Sequence, residues 1–283
     1  MATIAVLGIG LLGRGFAENL LDQGHQLRVW NRTASKAAPL AERGAHVASD
    51  PADAARGAER VHLVLAADDA VDQVIAALRP SLGQGVPILN HSTNLPARVA
   101  ERAPRLRAEG VRYLHAPVFM SPRDSRAGTG LMLISGPAPE VGELHGALDA
   151  MTGRVLHLGE RPDHAAVVKI TGNGMLLMLT AAMGDLFTLA RAQGLSEHDV
   201  VALFEAFGPT PAGMGKRLLR AGEEPASFEL TMGRKDCQLM IDAAGGRGAL
   251  TVLPVVADAM DRAIEAGLGQ EDFAIFAKPT EAG

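Results

Sequence analysis

The sequence predicts an α/β chain, with a doubly wound parallel sheet in the first half and an all-α second half. Three observations predict it. Short apolar runs alternate with helix-like stretches as far as about residue 160. Gly8, Gly10 and Gly13 stand where the first apolar run gives way to the first helical pattern. From Ala165 onward the apolar spacing is helical throughout. With 283 residues the chain is long enough for two domains with separate cores, expected at 1–162 and 163–283.

Taken in order, Thr3 to Leu7 reads as a buried parallel strand, and Leu11 to Gly24 as an amphipathic helix ended by glycine. The glycine spacing between them has a mechanical reason. Gly8 permits the tight turn, Gly10 lets the backbone approach an anion, and Gly13 lets the helix pack closely on the sheet. The helix start then offers unpaired N–H groups to a pyrophosphate. Such a string is weak in a chain with 32 glycines, but the strand before it and the helix after it make it specific. The first half is therefore expected to be a Rossmann-type domain, with a dinucleotide held by Gly8, Ile9, Gly10, Leu11, Leu12 and Gly13.

The second strand, Gln26 to Trp30, should end beside the adenosine ribose. No carboxylate follows it. The chain reads Asn31-Arg32-Thr33-Ala34-Ser35-Lys36, which lacks the acid that would hold a ribose 2′-hydroxyl and offers Arg32, Thr33 and Lys36 to a 2′-phosphate, with Asn31 a further expected cofactor contact. The expected cofactor is NADP(H); the alternative is an ordinary solvated basic patch at a helix start. Further short apolar runs at Val61 to Ala66, Pro87 to Asn90, Arg112 to Ala116, Leu131 to Ser135 and Val155 to Leu158 suit one mostly parallel sheet. Leu65 and Ala66, at the end of the first of these, are further expected cofactor contacts. Helical patterns follow at Met175 to Ala192, Glu197 to Phe207, Lys235 to Ala244 and Pro254 to Ala266.

Composition narrows the function classes. The hydrophobic fraction of 47% and charged fraction of 21% are those of a soluble globular protein, and a net charge of −5 argues against nucleic-acid binding. One cysteine excludes an internal disulfide framework, and Cys237 on a helical stretch reads as a packed thiol. Nine histidines without metal-ligand spacing predict no bound metal, and Met175, Met178 and Met183 at helical spacing read as core filler. The N-terminal apolar run has no basic flank and is interrupted by glycine, so it reads as a strand and not a signal peptide. No uninterrupted apolar run is long enough to span a bilayer, which makes a cytoplasmic protein with no membrane partner the expectation.

Chemistry is expected from the second half. Lys169 and Asn173 are four apart in a helical pattern and so share one face. Their flanks, Ala165 to Val168 and Met175 to Leu179, are apolar, and a partly buried lysine needs a partner or a task.

These residues, with several others, resemble the β-hydroxyacid dehydrogenase family, relatives of 6-phosphogluconate dehydrogenase that include hydroxyisobutyrate dehydrogenases and glyoxylate and succinic-semialdehyde reductases. The resemblance runs nearly end to end. It rests on Leu11-Leu12 inside the glycine loop, Ser92-Thr93 followed by Pro96, Ala116-Pro117-Val118 before Gly136, Lys169 with Asn173, Lys235-Asp236, and Asp272. It implies that Lys169 is the general acid/base and that Asn173 orients substrate. Ser92 and Thr93 would lie between cofactor and substrate, and Lys235 would lie close to the cofactor. Hydride would pass between nicotinamide and a carbonyl carbon while Lys169 gives a proton to the oxygen or takes it back. Lysine suits that role when desolvation and nearby positive charge ease loss of its proton. The resemblance also packs long apolar helices between subunits, so the Ala165 to Ala192 stretch predicts a homodimer or homotetramer.

The chain departs from the family where it matters most for substrate. Phe119-Met120-Ser121, followed by Pro122, stands in place of the Ser-Gly-Gly that holds a carboxylate, so the substrate contacts Phe119, Met120 and Ser121 would form a more apolar pocket. Asn90 and His115 replace family acids. A less polar aldehyde, ketone or imine is therefore the expected substrate. Two alternatives stand beside a dehydrogenase: an imine reductase, which the retained Lys169 argues against, and a non-catalytic NADP(H)-binding module, which Lys169 and Asn173 together argue against.

Overall fold

The computed structural model describes residues 1–192, 194–207, 209–250 and 252–278. By its contacts the chain divides into two compact units, Met1–Lys169 and Ile170–Gly283.

The first unit is built on β1 (Thr3–Leu7), β2 (Gln26–Trp30), β3 (His46–Val47), β4 (Arg60–Leu63), β5 (Ile88–Asn90) and β6 (Tyr113–His115). They form a six-stranded sheet in the order β3-β2-β1-β4-β5-β6, parallel throughout. That order is the Rossmann arrangement, whose direction of winding reverses between β1 and β4 and leaves a crevice beyond their carboxyl ends. Side chains of β1 alternate across the sheet. Ile4 and Val6 join one apolar cluster with Phe16, Leu20 and Leu114, while Ala5 and Leu7 join another with Val61, Leu63 and Ile88. Burial on both faces explains the continuous apolar runs of the sequence.

Helices α1 (Leu11–Asp22), α2 (Ala38–Ala41), α3 (Pro51–Ala55), α4 (Asp68–Leu78) and α5 (Pro96–Ala108) supply the crossovers. The remaining strands do not extend this sheet, contrary to the single sheet expected. Strands β7 (Val118–Phe119), β8 (Leu131–Ile134) and β9 (Val155–His157) form a separate sheet, β7-β8 antiparallel and β8-β9 parallel, interleaved with α6 (Pro122–Ala127) and α7 (Ala138–Thr152). An antiparallel bridge from His115 to Ser135 is where the chain leaves one sheet for the other. Pro117 follows directly; it has no N–H to extend a ladder and restricts the residue before it, so β6 ends there.

Helix α8 (His164–Ala192) begins in the first unit and continues in the second. The second unit is completed by α9 (Glu197–Phe207), α10 (Pro209–Arg220), α11 (Leu230–Ala243) and α12 (Leu253–Ala263). Helix α10 has no counterpart in the sequence reading; Pro209 and Pro211 stand in its first turn, where proline is tolerated because no N–H is needed. The expectation is that no uninterrupted apolar run is long enough to span a bilayer; one stretch of α8, His164–Gly184, is nevertheless long and apolar enough to cross a membrane by length and average composition. Lys169, Thr171 and Asn173 interrupt its apolar run without making it polar overall. Its residues Ile170 and Leu177 pack into a protein core with Leu230, Met240, Val256 and Met260. Cys237 lies in the same core, fully buried, with its thiol pushed up to about 11 by burial.

Candidate active site

The glycine loop is shaped by steric necessity. Gly8 has φ of +102°, and a Cβ there would collide with the Val64 carbonyl oxygen. A Cβ at Gly13 would strike the carbonyl oxygen of Gly8, whereas Gly10 faces open space. Gly10 is also the N-cap of α1 and has no side chain to bond the first N–H groups, so the helix opens with Leu11 and Leu12 presenting theirs. A small cradle of open backbone at a helix start fits a pyrophosphate. The Gly8 N–H donates to the Trp30 carbonyl at 2.8 Å, and the Ile9 N–H to Asn31 Oδ1 at 2.9 Å, so β2 and its following loop hold the cradle in place.

Asn31 also donates from Nδ2 to the Thr33 carbonyl at 2.9 Å, which makes its carboxamide a brace between the glycine loop and the basic loop. Arg32, Thr33 and Lys36 are exposed. Neither cation is paired with a carboxylate among the described residues, while Arg14, Arg28 and Arg43 nearby are held by Glu18, Asp53 and Asp22. On the other side of β1, the Leu65 N–H donates to the buried Ser92 hydroxyl at 2.9 Å, tying the loop after β4 to the loop after β5. Ala66 is exposed and Thr93 half-buried on those two loops.

Lys169 ends the first unit, and its Nζ lies 4.0 Å from the centre of the Phe119 ring. The sequence shows Phe119 as a bulky replacement but not this contact, because the two are 50 residues apart and meet only through the fold. An ammonium over an aromatic face gains a cation–π attraction of about 0.5–2 kcal/mol. Met120 packs on the core beside Gly130. Ser121 is the N-cap of α6 in a reciprocal capping box: its N–H and hydroxyl both donate to Asp124, at 2.8 and 2.7 Å, and the hydroxyl accepts from the Asp124 N–H. With Pro122 lacking an N–H, the donors of Ser121 and Pro122 that would serve an anion are engaged or absent.

In the second unit, Asn173 is nearly buried and donates from Nδ2 to Asp236 Oδ2 at 2.7 Å. A carboxylate can only accept, so this contact decides which way the amide points. The other oxygen of Asp236 lies 2.8 Å from the Lys235 ammonium. Asp236, 1% exposed, thus ties together two residues singled out in the sequence and was itself missed as a site residue. The available signal was an acid on α11 immediately before Cys237 and on the same face as Met240, both of which are buried. Asp272, part of the same resemblance, is structural: it accepts from Arg217 and Ser227 and caps the turn at Ala274.

Comparison with known proteins bears on these arrangements. Residues 3–159 match the family model for the NAD binding domain of 6-phosphogluconate dehydrogenase. The chain is 31% identical to an uncharacterized oxidoreductase of Bacillus subtilis, over 97% of this chain and 98% of that protein. It is 28% identical to the 3-sulfolactaldehyde reductase of Escherichia coli, over 96% and 94% of the two chains. Among solved structures, the 3-hydroxyisobutyrate dehydrogenase of Mycobacterium tuberculosis with L-serine superposes with a TM-score of 0.85 over all of both chains, at 22% identity.

Proposed function

The chain belongs to the β-hydroxyacid dehydrogenase family, and from that premise we propose that it is an NADP(H)-dependent oxidoreductase acting on a small carbonyl or hydroxy compound, with Lys169 as general acid and base. Membership of the family carries nicotinamide-dinucleotide binding with it, and the open backbone at Gly10 and the start of α1 fits such a ligand. The bound nicotinamide would supply or accept the hydride. Lys169 Nζ would give a proton to the developing alkoxide oxygen in reduction and take it back in oxidation. The observation that carries this reading is Lys169 held over the Phe119 ring, at the end of the same unit that bears the glycine cradle. Asn173, one turn along the same helix, would orient the substrate oxygen.

The substrate is proposed to lack the carboxylate of short hydroxyacids. Phe119 offers an apolar wall beside Lys169, Ser121 is engaged in its cap, and Asp124 adds a negative charge that would repel an anion. Panels of aldehydes, ketones, hydroxyacids and cyclic imines, followed by NADPH absorbance, test this directly. Preferential turnover of an uncharged aldehyde or ketone supports it. Preference for a short hydroxyacid refutes the substrate assignment, preference for imines favours an imine reductase, and no turnover with any class favours a binding module.

Cofactor choice rests on Arg32 and Lys36 after β2, neither of which is paired with a carboxylate among the described residues. NADPH is expected to bind far more tightly than NADH, and Arg32→Ala to weaken NADPH selectively, because losing a charge-assisted bond to phosphate costs about 1.5–3 kcal/mol and NADH has no such phosphate. Equal affinities for both cofactors in the unmutated protein refute the preference. A homodimer or larger assembly is also proposed. Met175, Leu203 and Val255 in the second unit are 57%, 59% and 64% exposed, large apolar side chains that burial against a second copy would take out of water. Light scattering is expected to give at least twice the 29.5 kDa chain mass at micromolar concentration, and the monomer mass would contradict it.

A further inference from the structure

A buried chain of hydrogen bonds in the first unit plays no part in the chemistry proposed so far. Arg60 and His62 stand two apart on β4 and so face the same side of the sheet. Arg60 Nε donates to His62 Nε2 at 3.1 Å, His62 Nδ1 lies 2.8 Å from His91 Nε2, and His91 Nδ1 lies 2.7 Å from the Ala116 carbonyl oxygen. All four residues are buried, and Phe16 packs on the His91 ring with 5.3 Å between centroids. Every proton in this chain has one place. A guanidinium can only donate, so His62 Nε2 is bare and the proton of that ring sits on Nδ1. His91 must then accept at Nε2, which leaves its own proton on Nδ1, facing a carbonyl that can only accept. Both rings are neutral at physiological pH, since burial holds His91 to about 4 and His62 well below the ordinary histidine value.

The relay therefore runs in one direction, and its end point is Ala116. The Ala116 N–H donates to the Asn90 carbonyl at 2.8 Å, and in a parallel ladder the Ala116 carbonyl would next accept from the N–H of residue 92. The Ser92 N–H turns back instead to Asn90 Oδ1, at 3.1 Å. The carbonyl that the ladder gives up is taken by His91, at the point where the chain leaves the first sheet for the second. Three residues further on is Phe119, whose ring lies under the Lys169 ammonium. A satisfied buried polar network fixes one arrangement of the groups it joins, where apolar side chains of similar size would permit several.

Building on the reading of Lys169 as proton donor, we propose that Arg60, His62 and His91 are positioning residues, a directed relay that holds the strand bearing Phe119 beneath the Lys169 ammonium.

In ¹H–¹⁵N NMR of the full-length protein, both rings are expected as single Nδ1–H tautomers, with a coupling across the hydrogen bond between His62 Nδ1 and His91 Nε2. The ring current of Phe119 should shift the Lys169 ε-methylene protons upfield, and Phe119→Leu, which abolishes the shift, gives its full size. His91→Leu and Arg60→Leu are each expected to lose most of that shift. His91→Gln keeps one acceptor and one donor and should restore it. Turnover of the substrate is expected to follow the same order, falling about 10–100-fold in His91→Leu while NADPH affinity is unchanged. A proton on His62 Nε2, or a Lys169 shift that survives in His91→Leu, would overturn the relay. If instead Lys169→Ala keeps full turnover, the donor reading fails, and the Lys169 shift still decides whether the relay holds Phe119. Arg60→Leu, at the first position of β4, carries the test if His91→Leu does not fold.

Discussion

Lys169→Ala is expected to lower turnover by about 10²–10⁴-fold, the usual worth of a positioned general acid, while leaving NADPH affinity unchanged. Affinity should survive because the cradle is made by backbone around Gly8, Gly10 and Gly13, with no part played by the lysine. Lys169→Arg keeps a positive charge near Phe119 but cannot exchange a proton near neutral pH, so it should not restore turnover. Stopped-flow reduction of a true substrate by each variant reads both effects. An arginine enzyme with most of its turnover would mean that the residue only holds charge. His115 would not take over as donor, since its buried ring stays unprotonated down to about pH 3.

Acid is expected to destabilise the first unit steeply, and well before most carboxylates titrate. Burial holds His91 to about 4 and His115 to about 3, and His62 well below the ordinary histidine value of 6.5. The sign follows from linkage. Below about pH 6.5 the unfolded chain takes up protons on these rings and the folded chain does not, so each fall in pH favours unfolding. Above that value the contribution is complete and flat. Each ring adds about 1.4 kcal/mol per pH unit inside its window, so His91 and His115 together remove about 5 kcal/mol between pH 6.5 and 4.5. That is comparable with the whole stability of a typical domain. Asp72, held down by its bond to Arg102, acts in the same direction at lower pH. Urea unfolding across this range should show the slope, and His115→Leu should reduce it by about 1.4 kcal/mol per unit. A flat profile would show that the rings take up protons in the folded state.

Much of the architecture was legible because local pattern and tertiary role coincide. Continuous apolar runs at Thr3 to Leu7 and Val61 to Leu63 mark strands buried on both faces, and the glycine string is forced by contacts within one turn. The two-residue strands His46–Val47, at the edge of the first sheet, and Val118–Phe119, at the edge of the second, are too short to show a period of two, and without the latter the second sheet was not foreseen. Ser121 with Asp124 three residues on is a capping pattern legible in the sequence, and it overlaps the loop in which the family carries its anion-binding residues. The Phe119 contact with Lys169 and the Asp236 contact with Asn173 join residues about 50 and 63 positions apart, and no local rule reports such pairs.

The Asn31 brace bears on how readily a chain of this kind can change its cofactor. Aspartate at position 31 is the obvious substitution for gripping a ribose hydroxyl, and it keeps the acceptor that the Ile9 N–H uses. It cannot donate to the Thr33 carbonyl, however, and would set two acceptors against one another where one bond now closes the loop. The first step of a conversion therefore loosens the phosphate cradle before any new grip is gained. A lineage drifting one residue at a time meets a valley at this point, and an engineer does better to exchange residues 31–36 as a block.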